Sequence, residues 1–399
     1  MTREEFGEQC VKAGIAKKAV LLKLATGFGK SKIAIQIANR RKANSVLIVV
    51  PQSKMKKNWA DEIKKWSLKA ENVKMVCYAS LKTCRNIHYD LIIIDEAHHV
   101  VAPKYRQYLR NVQVDCYVCL SATITESQEE ILRQTIGELD KHEFTLPKAI
   151  KEEILPDPEI FIIPLKLSNE KKCVITQSWG RKDAAIAQEF ASVAAMKKAR
   201  FSNQAKYANI NGYVKCSAQE KYDYYCAEID KAIEHNKSEY AKIIGTQRKA
   251  FIGMQKTAVA KALVTMMRAK KRRFITFCAS IEQADMLGGE HAVHSKAFKT
   301  NKTVQNFQNG VINELFVKNM MRECMNLNNI ECGILVQFDS KEGNTVQCIG
   351  RILRSKKPQI FIPYFVDTME EKWLQRALEG IPDASIHKVS LQYIVESES

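Results

Sequence analysis

Seven consecutive residues, Ala25-Thr26-Gly27-Phe28-Gly29-Lys30-Ser31, place two glycines directly before a lysine and a hydroxyl. That combination suits a phosphate ligand. Glycines let backbone amides close around phosphate oxygens, and the first turn of a following helix adds positive potential. Lys30 can reach the β- and γ-phosphates of a nucleotide, and the Ser31 hydroxyl can ligate Mg²⁺. The general spacing for such a loop, G-x-x-x-x-G-K-S/T, wants Gly where this chain has Leu24, so for the loop taken alone a structural turn stays open. Downstream, Asp95-Glu96-Ala97-His98 follows the apolar run Leu91-Ile92-Ile93-Ile94. Ligand sites of parallel sheets form at the carboxyl ends of strands. There Asp95 can hold Mg²⁺ through its water shell, and Glu96 can polarise an attacking water.

Arg351 and Arg354 stand three apart near the other end of the chain. Guanidinium is permanently charged and offers a planar fork of donors suited to phosphate oxygens. Set across a cleft from a phosphate loop, such a group stabilises charge developing on a γ-phosphoryl and contributes roughly 10³–10⁵ in rate. The plainer reading is two arginines on a helix surface.

These residues need a frame to hold them. The run at 20–24 predicts a buried strand, and 46–50, closed by Pro51, a second. Residues 73–78, 91–94 and 116–120 are further strands, with helical patterns at 30–41 and 55–66 between them. Continuous β-branched runs separated by helices predict a parallel sheet covered on both faces. The loop follows the first strand and opens the first of these helices, the context that phosphate binding requires. Pro147, Pro156, Pro158 and Pro164 mark a connection. The sequence therefore divides into a first α/β domain (1–150), a linker (151–167), an Ala-, Lys- and Tyr-rich insertion read as helices (168–245, with helices at 183–200 and 218–237), and a second α/β domain (246–399). In that last part 251–269 reads as a helix, and 273–278, 314–317, 332–338 and 359–363 as strands.

Composition agrees with such a chain. Its 399 residues are 46% hydrophobic and 27% charged, enough to bury cores without disulfide or metal staples. Sixty-two Lys and Arg against 44 Asp and Glu leave a net charge of +18, which points to a polyanionic partner such as nucleic acid. Twelve cysteines lie mostly inside apolar runs and read as reduced core thiols. Cys116 and Cys119 form one C-x-x-C without a second pair to complete a zinc site. No signal-peptide pattern and no apolar run of membrane-spanning length occur, so a cytoplasmic protein with no membrane partner is expected.

Taken together, Thr26-Gly27-Phe28-Gly29-Lys30-Ser31, Asp95-Glu96-Ala97-His98, Ser121-Ala122-Thr123 and Gln347-Cys348-Ile349-Gly350-Arg351-Ile352-Leu353-Arg354 resemble motifs I, II, III and VI of superfamily 2 helicases of the DEAD/DEAH-box type. They occur in family order between about residues 20 and 355. In that family motif I commonly reads A-T-G-x-G-K, which accounts for Leu24. Val50-Pro51-Gln52-Ser53 resembles motif Ia, Tyr78-Ala79-Ser80-Leu81 the next motif that touches nucleic-acid backbone, and 274–280 motif IV, with His294-Ser295 after it. Arg322-Glu323-Cys324-Met325-Asn326-Leu327 resembles motif V, with Cys324 where the family has Gly. Gln9 is a candidate for the adenine-reading Gln.

The resemblance implies an α/β fold of two tandem RecA-like parallel-sheet domains with a helical insertion, using ATP and Mg²⁺. It assigns catalysis to Lys30, Asp95, Glu96, Arg351 and Arg354, with metal at Ser31 and Asp95. Nucleotide binding falls to Thr26, Gly27, Phe28, Gly29, Lys30, Ser31 and Gln347. His98, Ser121, Thr123 and Glu323 would couple the nucleotide to nucleic acid held by Pro51, Gln52, Ser80, His294 and Ser295. In the insertion, Trp179, Phe201, Tyr207, Tyr213, Tyr222, Tyr224 and Tyr225 can stack on bases or pack the helices together. The expected activity is an ATP-dependent DNA helicase or branch-remodelling translocase of replication, recombination or repair, acting as a monomer and closest in type to phage and bacterial repair helicases. An RNA helicase, a duplex DNA translocase that separates no strands, and a non-catalytic nucleic-acid clamp are the alternatives.

Overall fold

A computed structural model describes residues 2–178, 186–201, 210–297, 300–318, 327, 329–338, 342–353 and 355–397. It divides into two compact units, Met1–Ile163 with Ala260–Tyr364 and Thr368–Ser399, and Pro164–Val259 with Phe365–Asp367.

The first unit begins with α1 (Arg3–Ala16), whose N-terminus is closed by a Thr2–Glu5 capping box. Then follow β1 (Ala19–Leu24), α2 (Lys30–Arg40), β2 (Ser45–Val50), α3 (Met55–Trp66), β3 (Asn72–Cys77), β4 (His88–Ile94), α4 (Pro103–Arg110), β5 (Gln113–Ser121), α5 (Glu126–Ile136) and β6 (Asp140–Phe144). The six strands form one parallel sheet in the order β3-β2-β4-β5-β1-β6. Leu21, Leu22, Leu47, Ile48, Ile92 and Ile93 are all fully buried. Both faces of these strands are covered, which is why their runs are continuously apolar. Cys116 and Cys119 are likewise buried free thiols of β5. Because β4, β5 and β1 are neighbours, the segments after them emerge side by side. Those segments are the three that carry Asp95-Glu96, Ser121-Thr123 and the glycine loop.

After α6 (Leu146–Lys151), β7 (Glu159–Leu165) belongs to a second sheet. Part of the expected linker is thus a strand: Ile160, Phe161 and Ile162 pair with β16 (Ile386–Lys388), and the prolines around it hid it. The rest of the sheet comes after residue 260: β11 (Phe274–Phe277), β12 (Ala292–Val293), β13 (Glu314–Val317), β14 (Cys332–Leu335) and β15 (Gln359–Phe365). Its order is β12-β13-β11-β14-β15-β7-β16.

The second unit departs from the all-helical expectation. It holds a three-stranded sheet, β8 (Cys173–Ser178), β10 (Ile210–Cys216) and β9 (Ile186–Glu189), with β10 central. Residues 183–200 were expected as one helix; the structure has β9 and then α7 (Val193–Phe201). Alanines gave this stretch helical character, and pairing to β10 overrides that propensity. Helices α8 (Ala218–Glu234) and α9 (Ser238–Gln255) complete the unit, and α10 (Thr257–Ala269), α11 (Ile281–Gly288) and α12 (Thr300–Gln308) follow them in the chain. Tyr222 is buried with Leu167, Ile252 and Phe365, and Tyr224 packs on a cluster of Ile175, Met196, Val214 and Cys216. Tyr213 donates to Glu189 (3.2 Å). These tyrosines do the packing work that was the plainer of their two readings. Trp179 and Tyr207 lie outside the described residues. Among the described residues, no helix is long and apolar enough to cross a membrane.

Candidate active site

The glycine loop turns from β1 into α2. Gly27 and Gly29 have φ of +91° and +100°, a left-handed backbone that other residues adopt only with strain. Gly29 is also the N-cap of α2, so the free amides of that helix face the loop. Lys30 Nζ donates to the Leu24 carbonyl at 2.9 Å, spanning the loop. Phe28 was expected among the nucleotide contacts. Its ring instead is buried against Phe6 (5.8 Å between centroids) and Phe144 (5.0 Å), and anchors the loop from below.

A residue that sequence reasoning missed clamps the other side. Arg3 donates from Nε to the Phe28 carbonyl (2.8 Å) and from Nη2 to the Gly27 carbonyl (2.6 Å). The signal was present: a cation in the first turn of a helix opposes the helix dipole, so it needs another partner. Gln9, in contrast, is exposed on α1 and is not among the residues lining the cleft.

Asp95 and Glu96 follow β4 directly. Glu96 has a left-handed backbone (φ +49°), which turns the chain sharply at the strand end. Asp95 Oδ1 accepts the Glu96 amide (3.0 Å), and Oδ2 accepts the indole N–H of Trp59 (2.9 Å). Burial, reinforced by the neighbouring Glu96, pushes the Asp95 carboxyl up to about 6, while Trp59 and Lys30 act against the rise. The Tyr78 hydroxyl lies 2.8 Å from the Asp95 carbonyl and 3.1 Å from that of Glu96. Neither aromatic carried a motif signal pointing to this site. For Trp59 the clue is general, since a buried indole N–H nearly always finds a partner.

A polar chain leads from Glu96 across the strand ends. His98 Nδ1 is 3.5 Å from Glu96 Oε2 and 3.3 Å from Ser121 Oγ. Ser121 Oγ accepts the Thr123 amide (3.3 Å), and Gln347 Nε2 donates to Thr123 Oγ1 (3.3 Å). Gln347 and Arg351 lie on α13 (Glu342–Ile352), so this chain joins the first sheet's loops to the second half of the same compact unit. Thr26, Gly27, Gly29, Lys30, Ser31, Asp95, Glu96, Gln347 and Arg351 all line one cleft of about 730 Å³, together with Arg3 and Trp59. Arg351 is 7% exposed, where only a paired guanidinium is stable. Arg354 and Glu323 lie outside the described residues.

The expected nucleic-acid contacts lie elsewhere. Pro51 and Gln52 follow β2, and Ser80 is exposed in the 3-10 turn Tyr78–Cys84 after β3. Ser295 is exposed, but His294 is 5% exposed and its Nε2 sits 2.8 Å from Asp285. Its ring braces the turn after β12 and offers no free edge to a ligand.

A family model described as the res subunit of type III restriction enzymes matches residues 8–126, and the helicase conserved C-terminal domain matches residues 255–356. The chain belongs to the superfamily 2 helicases. Solved structures of similar fold include S. cerevisiae Dbp5 bound to RNA and ADP BeF3, which is 11% identical over 99% of this chain and 91% of that one, with a TM-score of 0.60. The ATP-dependent type ISP restriction-modification enzyme LlaBIII bound to DNA is 12% identical over 100% of this chain and 32% of that one (TM-score 0.57). The Pyrococcus furiosus Hef helicase domain is 14% identical over 94% and 97% (TM-score 0.50). No curated protein sequence matches significantly. At such identities the structural likeness establishes the fold, two tandem RecA-like domains, and the family models carry the activity. This superfamily 2 helicase is an ATP-hydrolysing enzyme whose activity depends on nucleic acid, and helicase families use ATP with a divalent metal.

Proposed function

We propose that this helicase couples ATP hydrolysis in the cleft to translocation on, and unwinding or remodelling of, DNA, with Mg²⁺ as the metal. One observation carries the reading: residues from motifs I, II and VI, spread over more than 300 positions of sequence, line a single cleft. Lys30 gives up its bond to the Leu24 carbonyl and holds the terminal phosphates. Ser31 and Asp95 supply oxygen donors only, the set that suits a small hard cation retaining most of its waters. When bound, the metal neutralises phosphate charge. Glu96 orients and deprotonates the attacking water, and Arg351 stabilises the charge that develops on the transferred phosphoryl. Arg354 is assigned the same task from the family motif. The Glu96–His98–Ser121–Thr123–Gln347 chain reports the state of the cleft to the loops beyond the strand ends. Pro51, Gln52, Ser80 and Ser295, on exposed turns, grip the nucleic-acid backbone, and closing and opening of the cleft alternates that grip.

DNA is favoured because the N-terminal match is to a restriction-enzyme subunit and LlaBIII is bound to DNA. The likeness to RNA-bound Dbp5 supports a second reading, an RNA helicase. Side-by-side ATPase assays with single-stranded DNA, duplex DNA, forked DNA and RNA separate the two. Stimulation by RNA alone would replace the DNA assignment, and no stimulation by any of them would leave only a binding clamp.

A further inference from the structure

Trp59 lies on α3, one turn beyond Met55, and is 3% exposed. Its indole N–H points at Asp95 Oδ2 from 2.9 Å, while the Glu96 amide takes Oδ1 from 3.0 Å. One donor on each oxygen fixes the plane and rotation of the carboxylate. An indole N–H can only donate, so it neither ligates a cation nor exchanges protons in the reaction. It takes one lone pair of Oδ2 and leaves the rest for other partners. Trp59 lines the same cleft as Ser31 and Asp95. Its helix follows directly on Pro51 and Gln52, whereas Asp95 follows a different strand. The contact therefore joins two segments that the chain order keeps apart.

We propose that Trp59 is a positioning residue that aims the Asp95 carboxylate at the divalent cation of the ATP cleft. The inference rests on the ATPase reading of that cleft. Backbone amides hold the carboxylate from one side in any loop of this shape; the indole adds the second, side-chain restraint. Ring packing alone would give Trp59 a role in stability and none in metal affinity, and that difference is measurable.

The test uses the full chain with Trp59→Phe, which keeps an aromatic ring and loses the donor, and Trp59→His, which restores an N–H. The Mg²⁺ concentration for half-maximal ATPase is measured beside Mn²⁺ affinity of the ADP-bound protein by electron paramagnetic resonance. Metal-free affinity for a fluorescent ADP is the third readout. Trp59→Phe is expected to weaken both metal measurements about tenfold, equivalent to about 1.4 kcal/mol, with metal-free ADP affinity unchanged and Trp59→His intermediate. Metal dependence within twofold of wild type for Trp59→Phe overturns the proposal, as does equal loss in metal-dependent and metal-free binding. Should the variants fail to fold, a Trp66→Phe chain still decides by indole ¹⁵N NMR: one of its three remaining tryptophan N–H resonances must shift when Mg²⁺ is added to the ADP-bound protein, and three unmoved resonances overturn the proposal. A wild-type chain that neither binds nor hydrolyses ATP sinks the ATPase reading itself, a result distinct from all of these.

Discussion

Gly350 offers a sharp test of the cleft. It lies on α13 between Gln347 and Arg351, and a Cβ built there meets Thr26 Cβ at 3.0 Å, Thr26 Oγ1 at 3.5 Å and Leu146 Cδ1 at 3.9 Å. Carbon pairs prefer roughly 3.5–4.0 Å, so the new methyl intrudes by about 0.5 Å or more. Thr26 cannot retreat easily, because Arg3 holds the next two carbonyls and Phe28 is locked in an aromatic cluster. Overpacking of this kind costs about 1–3 kcal/mol. Replacing Gly by Ala inside a helix returns about 1 kcal/mol. The two terms act on different states. The helix gain applies wherever α13 is folded, whereas the clash applies only when α13 sits on the glycine loop. Gly350→Ala should therefore melt no lower than wild type yet turn over ATP about 5- to 150-fold more slowly, the rate equivalent of about 1–3 kcal/mol. Steady-state ATPase with saturating nucleic acid, beside calorimetric melting, measures both. Turnover within twofold of wild type would show that α13 need not approach Thr26 during catalysis.

Lys30→Ala should abolish turnover, and Glu96→Gln should bind ATP but hydrolyse it very slowly; near-normal rates for either, measured by phosphate release, would unseat the site. Arg351→Ala should lower turnover strongly, toward the roughly 10³–10⁵ of an arginine finger, with little change in isolated nucleotide affinity by fluorescence titration; a change of less than about tenfold, well short of that range, would reassign Arg351 as structural. Nucleic-acid affinity should fall steeply with salt, each phosphate contact adding roughly −0.7 to −0.9 to the slope of log K against log salt; a flat response would assign the +18 charge to another partner. Asp95 has its carboxyl raised from 3.8 to about 6, so between those values the folded chain binds the extra proton. Its contribution to stability is full below pH 3.8 and is lost as pH rises through about 6. Asp95→Asn should consequently melt above wild type at pH 8 but not at acid pH, and Mg²⁺ affinity of the wild type should weaken as pH drops through 6.

The sequence by itself determined the first sheet and the order of its motifs. Strands buried on both faces must be continuously apolar, so runs such as Ile92–Ile94 and Leu47–Val50 are readable without coordinates. Gly27 and Gly29 declare their left-handed turn by residue type, and the segments bearing Lys30, Asp95 and Arg351 are recognisable because chemistry restricts their composition. What lay beyond reach was whatever depends on contacts between distant segments. Strand β7 looked like linker because its place in a sheet is set by β16, more than 200 residues later. The sheet inside 173–216 was masked by alanine-rich helical propensity that pairing to β10 overrides. Phe28 and His294 had the right positions in their motifs, yet their side chains turn to Phe6, Phe144 and Asp285. Arg3 and Trp59 sit in ordinary-looking helix sequence, and Tyr78 belongs to a stretch whose resemblance points to nucleic acid; all three meet the site only through the fold. A motif records what the ligand demands of a residue, whereas the partners that hold that residue are chosen by tertiary packing, for which many side chains would serve.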